Sequence, residues 1–329
     1  MRPFRFERAS DAEQAVALFN NASEPRFLGG GTNLVDLMRV GVETPAVLID
    51  VNHVEGHDLI EEIAGGGLRI GAAVTNSDLA ADARVRERYP VLSEAVLHGA
   101  SGQLRNLATV GGNLLQRTRC AYFSDVTKPC NKRRPGTGCP AREGQHHNHA
   151  IIGHSEDCVA THPSDMAVAL AALEAVVHVQ GPRGARTIPI PGLHRLPGDQ
   201  PYRDTVLEPG ELITAVELGP PPRTEARQHY RKVRERRSFA FALVSVAVVL
   251  DRDERGMASD VRIALGGVAH VPWRASRAEE VLRGGEIDEQ RVAEAARAEL
   301  AQARPLRDNG YKVELARNLI ATTLLELTT

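Results

Sequence analysis

The chain has 329 residues, which is long for one compact core and predicts two or three domains. Its composition, 42% hydrophobic and 25% charged, is ordinary for a globular protein. The formal net charge is only -2, so bulk charge gives no reason to expect a nucleic-acid partner. No apolar run is long enough to span a bilayer, which argues against membrane insertion.

The first ten residues carry charges throughout and lack the apolar stretch of a secretory signal. We therefore expect the chain to be made and folded in the cytoplasm. A periplasmic location would require co-export with a partner that carries a signal.

The first predicted elements are short strands joined by glycine-rich turns. A strand at residues 26–28 leads into Gly29-Gly30-Gly31-Thr32-Asn33 and then into a helix start at 34–38. A second glycine turn lies at residues 108–113. The remaining elements predicted before it are strands at 46–50 and 68–71 and helices at 76–83, with Asn76 or Ser77 as N-cap, and at 91–99.

The middle of the chain differs from the rest in amino-acid composition. Residues 117–160 are rich in Arg, Lys, Pro, Gly, Cys and His and show little apolar periodicity. A loop of this length inside a compact domain is usually functional or disordered. Regular structure resumes with Ser164, the predicted N-cap of a helix at 165–175, followed by a strand at 176–180 and a proline-rich loop at 181–209.

The prolines at 220–222 predict a linker between domains. After them, strands are predicted at 228–233, 244–250 and 261–265, and helices at 275–282, 289–303 and 313–327. The predicted fold class is α+β, with a mixed N-terminal region and a C-terminal domain built from a sheet and helices.

Both glycine turns are suited to hold phosphate. Glycine permits positive φ and close approach of a ligand to the backbone, and successive N–H groups can form an anion-binding nest. The first turn alone is equally compatible with an ordinary turn, and it matches neither the G-x-G-x-x-G pattern nor a Walker loop. Two such turns favour a pyrophosphate held from both sides, and hence a dinucleotide.

All four cysteines lie in the irregular segment, at Cys120, Cys130, Cys139 and Cys158. Structural zinc sites usually contain closely spaced cysteine pairs, and none is present. Two disulfides would need an oxidising compartment. Four thiolates can also ligate a [4Fe–4S] cluster, whose negative charge neighbouring basic residues would stabilise. Those basic residues are Arg119, Lys128, Lys132, Arg133 and Arg134, and the histidines that could supply ligands instead are His146, His147, His149, His154 and His162.

The two glycine turns lie within longer motifs. Residues 27–34 are FLGGGTNL, and residues 105–114 are RNLATVGGNL. Together they resemble the FAD-binding subunits of the xanthine dehydrogenase and aldehyde oxidoreductase family. Further similar stretches lie at 163–165, 212–218, 232–244, 265–269 and 272–275, so the resemblance covers essentially the whole chain in order.

The resemblance implies a two-part FAD-binding region of the vanillyl-alcohol-oxidase and CO-dehydrogenase flavoprotein type at residues 1–219. Its parts are about 1–57 and 58–219, and the second carries the cysteine-rich insertion at 117–160. A C-terminal domain like that of the CO dehydrogenase flavoprotein occupies residues 225–329.

The resemblance also assigns cofactor contacts. Both glycine turns hold the FAD pyrophosphate and nearby groups, and Ser164 and Asp165 correspond to a further cofactor contact. Lys232 matches a lysine near the flavin, and Ile213 matches an apolar flavin neighbour. Without the family, a helix-cap pair, a solvated charge and a core residue are the simpler interpretations. The full set of implied cofactor residues is Phe27, Leu28, Gly29, Gly30, Gly31, Thr32, Asn33, Leu34, Ala108, Thr109, Gly111, Gly112, Asn113, Ser164, Asp165, Ile213 and Lys232.

One position departs from the family pattern. Animal xanthine dehydrogenases place a phenylalanine against the flavin where this chain has Gly99. That aromatic contact, and a nicotinamide site that depends on it, are therefore not implied for this chain.

The cysteine-rich insertion has its own resemblance. A minority of the family, including periplasmic aldehyde oxidoreductases and 4-hydroxybenzoyl-CoA reductases, carries a [4Fe–4S] insertion at this place. Residues 116–123 and 158–165 are most similar to the aldehyde oxidoreductase version. The implied cluster ligands are Cys120, Cys130, Cys139 and Cys158.

The family divides its chemistry among subunits. A molybdopterin-binding large subunit oxidises the substrate with water, a small subunit carries two [2Fe–2S] clusters, and the FAD-binding subunit receives the electrons. We expect a heterotrimer that oxidises an aldehyde to a carboxylic acid, with no substrate acid or base in this chain. The external electron acceptor is not implied. The alternatives are a self-contained flavin oxidase or reductase of the same superfamily and a zinc-stabilised structural protein without flavin.

Overall fold

The computed structural model describes residues 1–223, 225–236 and 239–328. The chain begins with a small parallel sheet, in the order β1-β3-β2, made of β1 (Arg5–Arg8), β2 (Pro25–Leu28) and β3 (Val47–Asp50). Helix α1 (Ala12–Asn21) connects β1 to β2, and α2 (Leu34–Arg39) follows the first glycine turn. Every residue of β3 is buried, as expected for the central strand of a parallel sheet.

A five-stranded antiparallel sheet, in the order β4-β5-β8-β6-β7, occupies the middle of the fold. In β6, buried residues alternate with half-buried ones, because successive side chains of a strand point to opposite faces. The strands are β4 (Ile60–Glu62), β5 (Leu68–Gly71), β6 (Val176–Gly181), β7 (Gly184–Pro189) and β8 (Leu212–Leu218).

Helix α9 (Asp165–Ala172) joins this sheet region to the C-terminal one. All its residues are buried, and it contacts both α5 (Pro90–His98) and strands of the C-terminal sheet. Its alanines allow this close packing on more than one side. Ser164 caps it as predicted, since its Oγ accepts a hydrogen bond from the Ala167 N–H at 3.0 Å. The other helices of this part are α3 (Asn76–Ala81), α4 (Ala83–Arg88), α6 (Gly102–Arg105), α7 (Val110–Leu114), α8 (Ala121–Ser124) and α10 (Ile190–Leu193), with a 3-10 turn at Pro140–Arg142.

The C-terminal sheet is antiparallel, in the order β12-β11-β10-β9. Helices pack on it around a core of aliphatic side chains from β10, β11 and the three helices. Its elements are β9 (Arg227–Val233), β10 (Val244–Arg252), β11 (Ala258–Gly266), β12 (Trp273–Arg274), α11 (Ser276–Leu282), α12 (Glu289–Leu300) and α13 (Tyr311–Glu326).

The α+β fold class is confirmed, and the elements differ from the predictions in a few places. The N-cap of α3 is Thr75, which accepts from the Asp78 N–H at 3.1 Å, so the prediction of Asn76 or Ser77 is wrong. The stretch at 181–209 contains β7 and α10, whose regular structure the prolines obscured. β1 and α1 were not predicted, because β1 is largely exposed and its charged residues hide the strand pattern.

Two predicted stretches extend beyond the described residues. The stretch at 232–244 that resembles the family includes residues 237 and 238, which lie outside the described residues. The expected C-terminal domain ends at residue 329, which also lies outside them. In the part of the chain that is described, no helix has both the length and the apolar character needed to cross a membrane.

Candidate functional site

A cavity of about 850 Å³ is lined by residues from all three sheet regions. Its walls include both glycine turns, the first residue of α9 and Lys232 of β9. Of the cofactor residues implied by the sequence, all line this cavity except Leu28 and Ser164. The residues brought together are Phe27, Gly29, Gly30, Gly31, Thr32, Asn33, Leu34, Ala108, Thr109, Gly111, Gly112, Asn113, Asp165, Ile213 and Lys232.

The two glycine turns touch each other directly. A Cβ added at Gly30 would lie 1.7 Å from the carbonyl oxygen of Leu107, and one at Gly29 would lie 2.8 Å from Oγ1 of Thr109. Gly31 has a φ of 73°, which favours glycine. Gly30 is therefore required for the contact between the turns, and only Gly31 of the first turn is required for positive φ.

The second turn is fixed by its own side chains. Thr109 Oγ1 accepts from the Gly112 N–H at 3.2 Å and caps the short helix α7. Ser164 does not line the cavity, but its Oγ donates to Oδ1 of Asn113 at 2.6 Å. Ser164 thus holds a cavity residue in place while capping α9.

Two polar atoms at the cavity are left for a ligand. Nδ2 of Asn33 and Oδ1 of Asn76 are buried and have no hydrogen-bond partner among the described residues. Both side chains line the cavity. Since buried polar groups are normally satisfied, these atoms fit a cofactor with hydrogen-bonding groups.

Asn52 supports the first turn and was missed by the sequence analysis. Its Nδ2 donates to the carbonyl oxygen of Gly29 at 3.1 Å and to Oδ1 of Asp50 at 2.7 Å. The available signal was its position just after β3, the strand beside β2. Polar residues after neighbouring parallel strands meet at one edge of a sheet.

A buried polar chain forms another wall of the cavity. Nζ of Lys232 lies 2.7 Å from Oδ2 of Asp165 and donates to the His98 carbonyl oxygen at 3.0 Å. The Tyr230 hydroxyl donates to Oδ1 of Asp165 at 2.6 Å. Burial, and then the Asp165 charge, raise the pKa of Tyr230 well above its usual range. The Lys232 side chain is only 1% exposed, so the interpretation as a solvated charge is wrong.

Aromatic residues reach the cavity from the loop after β9. Phe239 and Phe241 line it, and the guanidinium of Arg119 lies 4.9 Å from the centre of the Phe241 ring. Gly99 also lines the cavity, at the end of α5. This loop therefore adds aromatic surface to that of Phe19 and Phe27, which also line the cavity. The loop has no periodic pattern from which these contacts could be predicted.

The four cysteines lie around one small cavity of about 10 Å³. All four are free thiols. Burial raises the pKa of Cys120 to about 11 and that of Cys158 to about 12, and it also raises the pKa of Cys139. Among the described residues, no group of three or more His, Cys, Asp or Glu is arranged to hold a metal ion. The cysteines thus converge on one cavity without the close geometry of a single-ion site.

Two family descriptions match the chain. The FAD binding domain of molybdopterin dehydrogenases matches residues 2–221, and the C-terminal domain of the CO dehydrogenase flavoprotein matches residues 228–327. The chain belongs to the FAD-binding subunits of the molybdenum hydroxylases. It is an oxidoreductase flavoprotein subunit, and the predicted family resemblance is confirmed.

Relatives of this flavoprotein subunit align over nearly its whole length. The aldehyde oxidoreductase FAD-binding subunit PaoB of Escherichia coli strain K12 is 50% identical, with 99% of this chain and 98% of that one covered. The nicotine 6-hydroxylase medium subunit of Paenarthrobacter nicotinovorans is 28% identical, with 98% and 96% covered. Carbon monoxide dehydrogenase of Hydrogenophaga pseudoflava has a chain of known structure with a TM-score of 0.76, 27% identity and 98% and 96% coverage. These matches do not favour the self-contained flavin enzyme or the zinc protein.

A partly buried ion-pair network connects the 850 Å³ cavity to the cysteine segment. Arg117 lines this cavity, and its Nη1 lies 2.7 Å from Oε1 of Glu43. Its Nε lies 2.8 Å from Oδ2 of Asp204, whose Oδ1 pairs with Lys132 of the cysteine cavity. Burial alone would raise the pKa of Asp204, but Lys132 and Arg117 hold it well below its usual range. The guanidinium of Arg117 also lies 4.6 Å from the centre of the Phe123 ring, at the cysteine cavity.

Most of the five histidines considered as ligands have other hydrogen-bond or ring partners. Of these five, all of which are described, only His149 is within hydrogen-bond distance of a cysteine, with Nε2 3.1 Å from Sγ of Cys120. The ring of His162 packs against that of the buried His194, with ring centroids 4.2 Å apart, and desolvation lowers the pKa of His162 well below the usual range. The remaining three, His146, His147 and His154, contact the Ala141 carbonyl, the Glu235 carboxylate and the Arg304 carbonyl.

Proposed function

We propose that the subunit holds FAD in the 850 Å³ cavity and serves as the electron-transfer flavoprotein of a molybdenum-dependent aldehyde oxidoreductase. The observation that carries this is the meeting of the two glycine turns with the buried Asp165–Lys232 pair around one cavity. The aldehyde substrate is supported by the 50% identity to an aldehyde oxidoreductase subunit over nearly the whole chain.

Each wall of the cavity has a distinct task in this proposal. The backbone of the two turns, held together at Gly30, binds the pyrophosphate of FAD. Bound FAD supplies reversible electron-transfer chemistry. Asp165 fixes Lys232, and two of the three ammonium donors are used by Asp165 and the His98 carbonyl in the described structure. The third donor can hold a polar group of the cofactor.

The four cysteines around the small cavity support the proposed [4Fe–4S] cluster by their donor chemistry. Cys120, Cys130, Cys139 and Cys158 surround one cavity, are unpaired as disulfides, and lie in a segment with little regular structure. Thiolates are the usual ligands of such clusters, and metal binding can order a segment that has little core of its own. These four residues would hold the cluster, which supplies one-electron chemistry.

The subunit is proposed to act within a larger assembly. Its partners are a molybdopterin-binding large subunit and a small subunit with [2Fe–2S] clusters, and the substrate is oxidised on the large subunit. The proposed organisation of the chain is an FAD-binding region at 1–219 and a C-terminal domain at 225–329. The matched ranges, 2–221 and 228–327, support this division.

Cofactor analysis of the anaerobically purified chain tests the proposal. We expect bound FAD, with iron and sulfide equivalent to one cluster per chain. Cys130→Ser and Cys139→Ser should lose most of the iron and become more sensitive to protease within residues 117–160. A parent chain without iron would reject the cluster and leave the FAD site standing, whereas a chain that binds no FAD would reject the flavin assignment.

Lys232→Met tests the flavin site itself. We expect FAD binding to weaken at least tenfold, because a hydrogen bond to a charged group contributes about 1.5–3 kcal/mol. The exposed Lys128 provides a matched control, and Lys128→Met should bind FAD like the parent. The isolated chain should not oxidise aldehydes, and turnover in the absence of the molybdenum subunit would contradict the proposed division of labour.

A further inference from the structure

One histidine of the cysteine segment is in direct contact with a proposed cluster ligand. Nε2 of His149 lies 3.1 Å from Sγ of Cys120, within hydrogen-bond distance for sulfur. The His149 residue is only 9% exposed. Because His149 is buried and Cys120 is half-buried, the contact is largely removed from bulk water.

The C-terminal part of the chain fixes the backbone of His149. Nζ of Lys312 donates to the His149 carbonyl oxygen at 2.9 Å, and Nδ2 of Asn309 donates to it at 3.3 Å. Lys312 and Asn309 are fully buried. The imidazole is therefore held beside Cys120 by residues that lie far from it in sequence.

Proton placement on the imidazole follows from its surroundings. A thiolate sulfur that ligates iron can only accept a hydrogen bond, so Nε2 must carry the proton. Nδ1 of His149 is buried without a partner among the described residues, which leaves no acceptor there for a second proton. With Cys120 bound to the proposed cluster, the ring would therefore donate through Nε2.

We propose that His149 is a positioning residue for the [4Fe–4S] cluster, donating a hydrogen bond to the sulfur of Cys120 and raising the reduction potential of the cluster. This inference rests on the proposed cluster. Hydrogen bonds to ligand sulfurs are among the factors that set the potential of iron–sulfur clusters, because they stabilise the more negative, reduced state.

Cys120 is the cysteine through which a change in cluster potential would be closest to the flavin side of the segment. Of the four cysteines, all of them described, Cys120 alone also lines a second cavity of about 310 Å³. That cavity shares Asp165 and Arg119 with the flavin cavity. The hydrogen bond therefore acts on the cysteine that faces the flavin side of the segment.

Potentiometric titration of the complete complex, followed by electron paramagnetic resonance of the reduced cluster, tests this inference. His149→Phe should keep its iron, sulfide and FAD but show a lower cluster potential. A change of about tenfold in the ratio of reduced to oxidised cluster, or about 59 mV for one electron, is expected from losing one hydrogen bond to a charged acceptor. His149→Gln, which can place an amide donor near Cys120, should restore part of the shift.

His147→Gln provides the matched control, because His147 is an exposed histidine of the same segment and contacts Glu235. It should leave the potential unchanged. Full iron with an unshifted potential in His149→Phe would overturn the inference while leaving the cluster in place. Loss of iron in both His149 variants would overturn it in favour of direct ligation. A parent complex without iron in this subunit would remove the proposed cluster and this inference with it.

Discussion

The flavin cavity and the cysteine segment are built in different ways. At the flavin cavity, two turns touch through backbone atoms, and the missing side chain of Gly30 makes room for the Leu107 carbonyl. In the segment at 117–160, regular structure is limited to α8 and one 3-10 turn. Its order depends on side chains that contact distant parts of the chain.

Those distant contacts are mainly charged and polar. Nζ of Lys132 donates to the Pro201 carbonyl oxygen at 2.7 Å, in addition to its pair with Asp204. Lys312 donates to the carbonyl oxygens of Asn148 and His149. The comparison indicates that the proposed flavin cavity is sensitive to side-chain atoms added at its glycine turns. The segment is instead sensitive to the loss of individual polar partners.

The largest expected effect is on the backbone contact between the glycine turns. In Gly30→Ala, the new Cβ would lie 1.7 Å from the Leu107 carbonyl oxygen, so the turns must separate. We expect FAD binding to be lost, measured by flavin fluorescence. Gly192→Ala is the control, since a Cβ there meets nothing within 4 Å. Parent-like flavin binding by Gly30→Ala would show that the contact between the turns is dispensable.

A substitution at Asp204 should break the ion-pair link between the two regions. Asp204→Asn leaves the ammonium of Lys132, whose side chain is fully buried, without its charged partner. Breaking a buried pair costs about 3–5 kcal/mol, and the 29% exposure of the Asp204 side chain places the expected loss near the lower value. Chemical denaturation measures it, with the exposed Asp199→Asn as control. Equal stability of the two variants would mean that the network does not support the segment.

Sequence reasoning grouped the residues of the proposed flavin cavity better than it anticipated the contacts of the segment, for physical reasons. The glycine turns and the Ser164 cap are local patterns, in which neighbouring residues determine the backbone. The pair between Arg117 and Glu43 joins residues 74 positions apart, and nothing in either local sequence indicates the other. The four cysteines could be grouped because they share one segment, but the histidine that contacts one of them could not be distinguished from the others.

Lowering the pH should reduce the free energy of unfolding, because three histidines near the C-terminal end of the cysteine segment have lowered pKa values. Burial lowers the pKa of His270 to about 4 and also lowers the pKa values of His162 and His194. Their ordinary unfolded pKa is about 6.5, so below that pH the unfolded chain binds protons that the folded chain does not. The stability these histidines contribute is present above pH 6.5 and is lost as pH falls toward the folded pKa values, by at most ~1.4 kcal/mol per pH unit for each.

His194→Gln isolates one of these contributions. Denaturation with saturating FAD between pH 7 and pH 5 should show a shallower loss of stability than in the parent, by at most ~1.4 kcal/mol per pH unit. The exposed His53→Gln should keep the slope of the parent. An unchanged slope in His194→Gln would show that the buried imidazole takes up its proton without cost.

The smallest effect should remain inside the cysteine segment. The Tyr122 hydroxyl accepts a hydrogen bond from the Gln145 N–H at 2.8 Å, which joins α8 to the residues just after the 3-10 turn. Tyr122→Phe keeps the ring and removes this bond, so we expect a loss of ~1 kcal/mol. Amide hydrogen exchange should become faster at Gln145, while FAD affinity stays at the parent value because the change is far from both glycine turns. The exposed Tyr202→Phe should alter neither. If Tyr122→Phe weakened FAD binding as well, the two regions would be coupled more tightly than their separate construction implies.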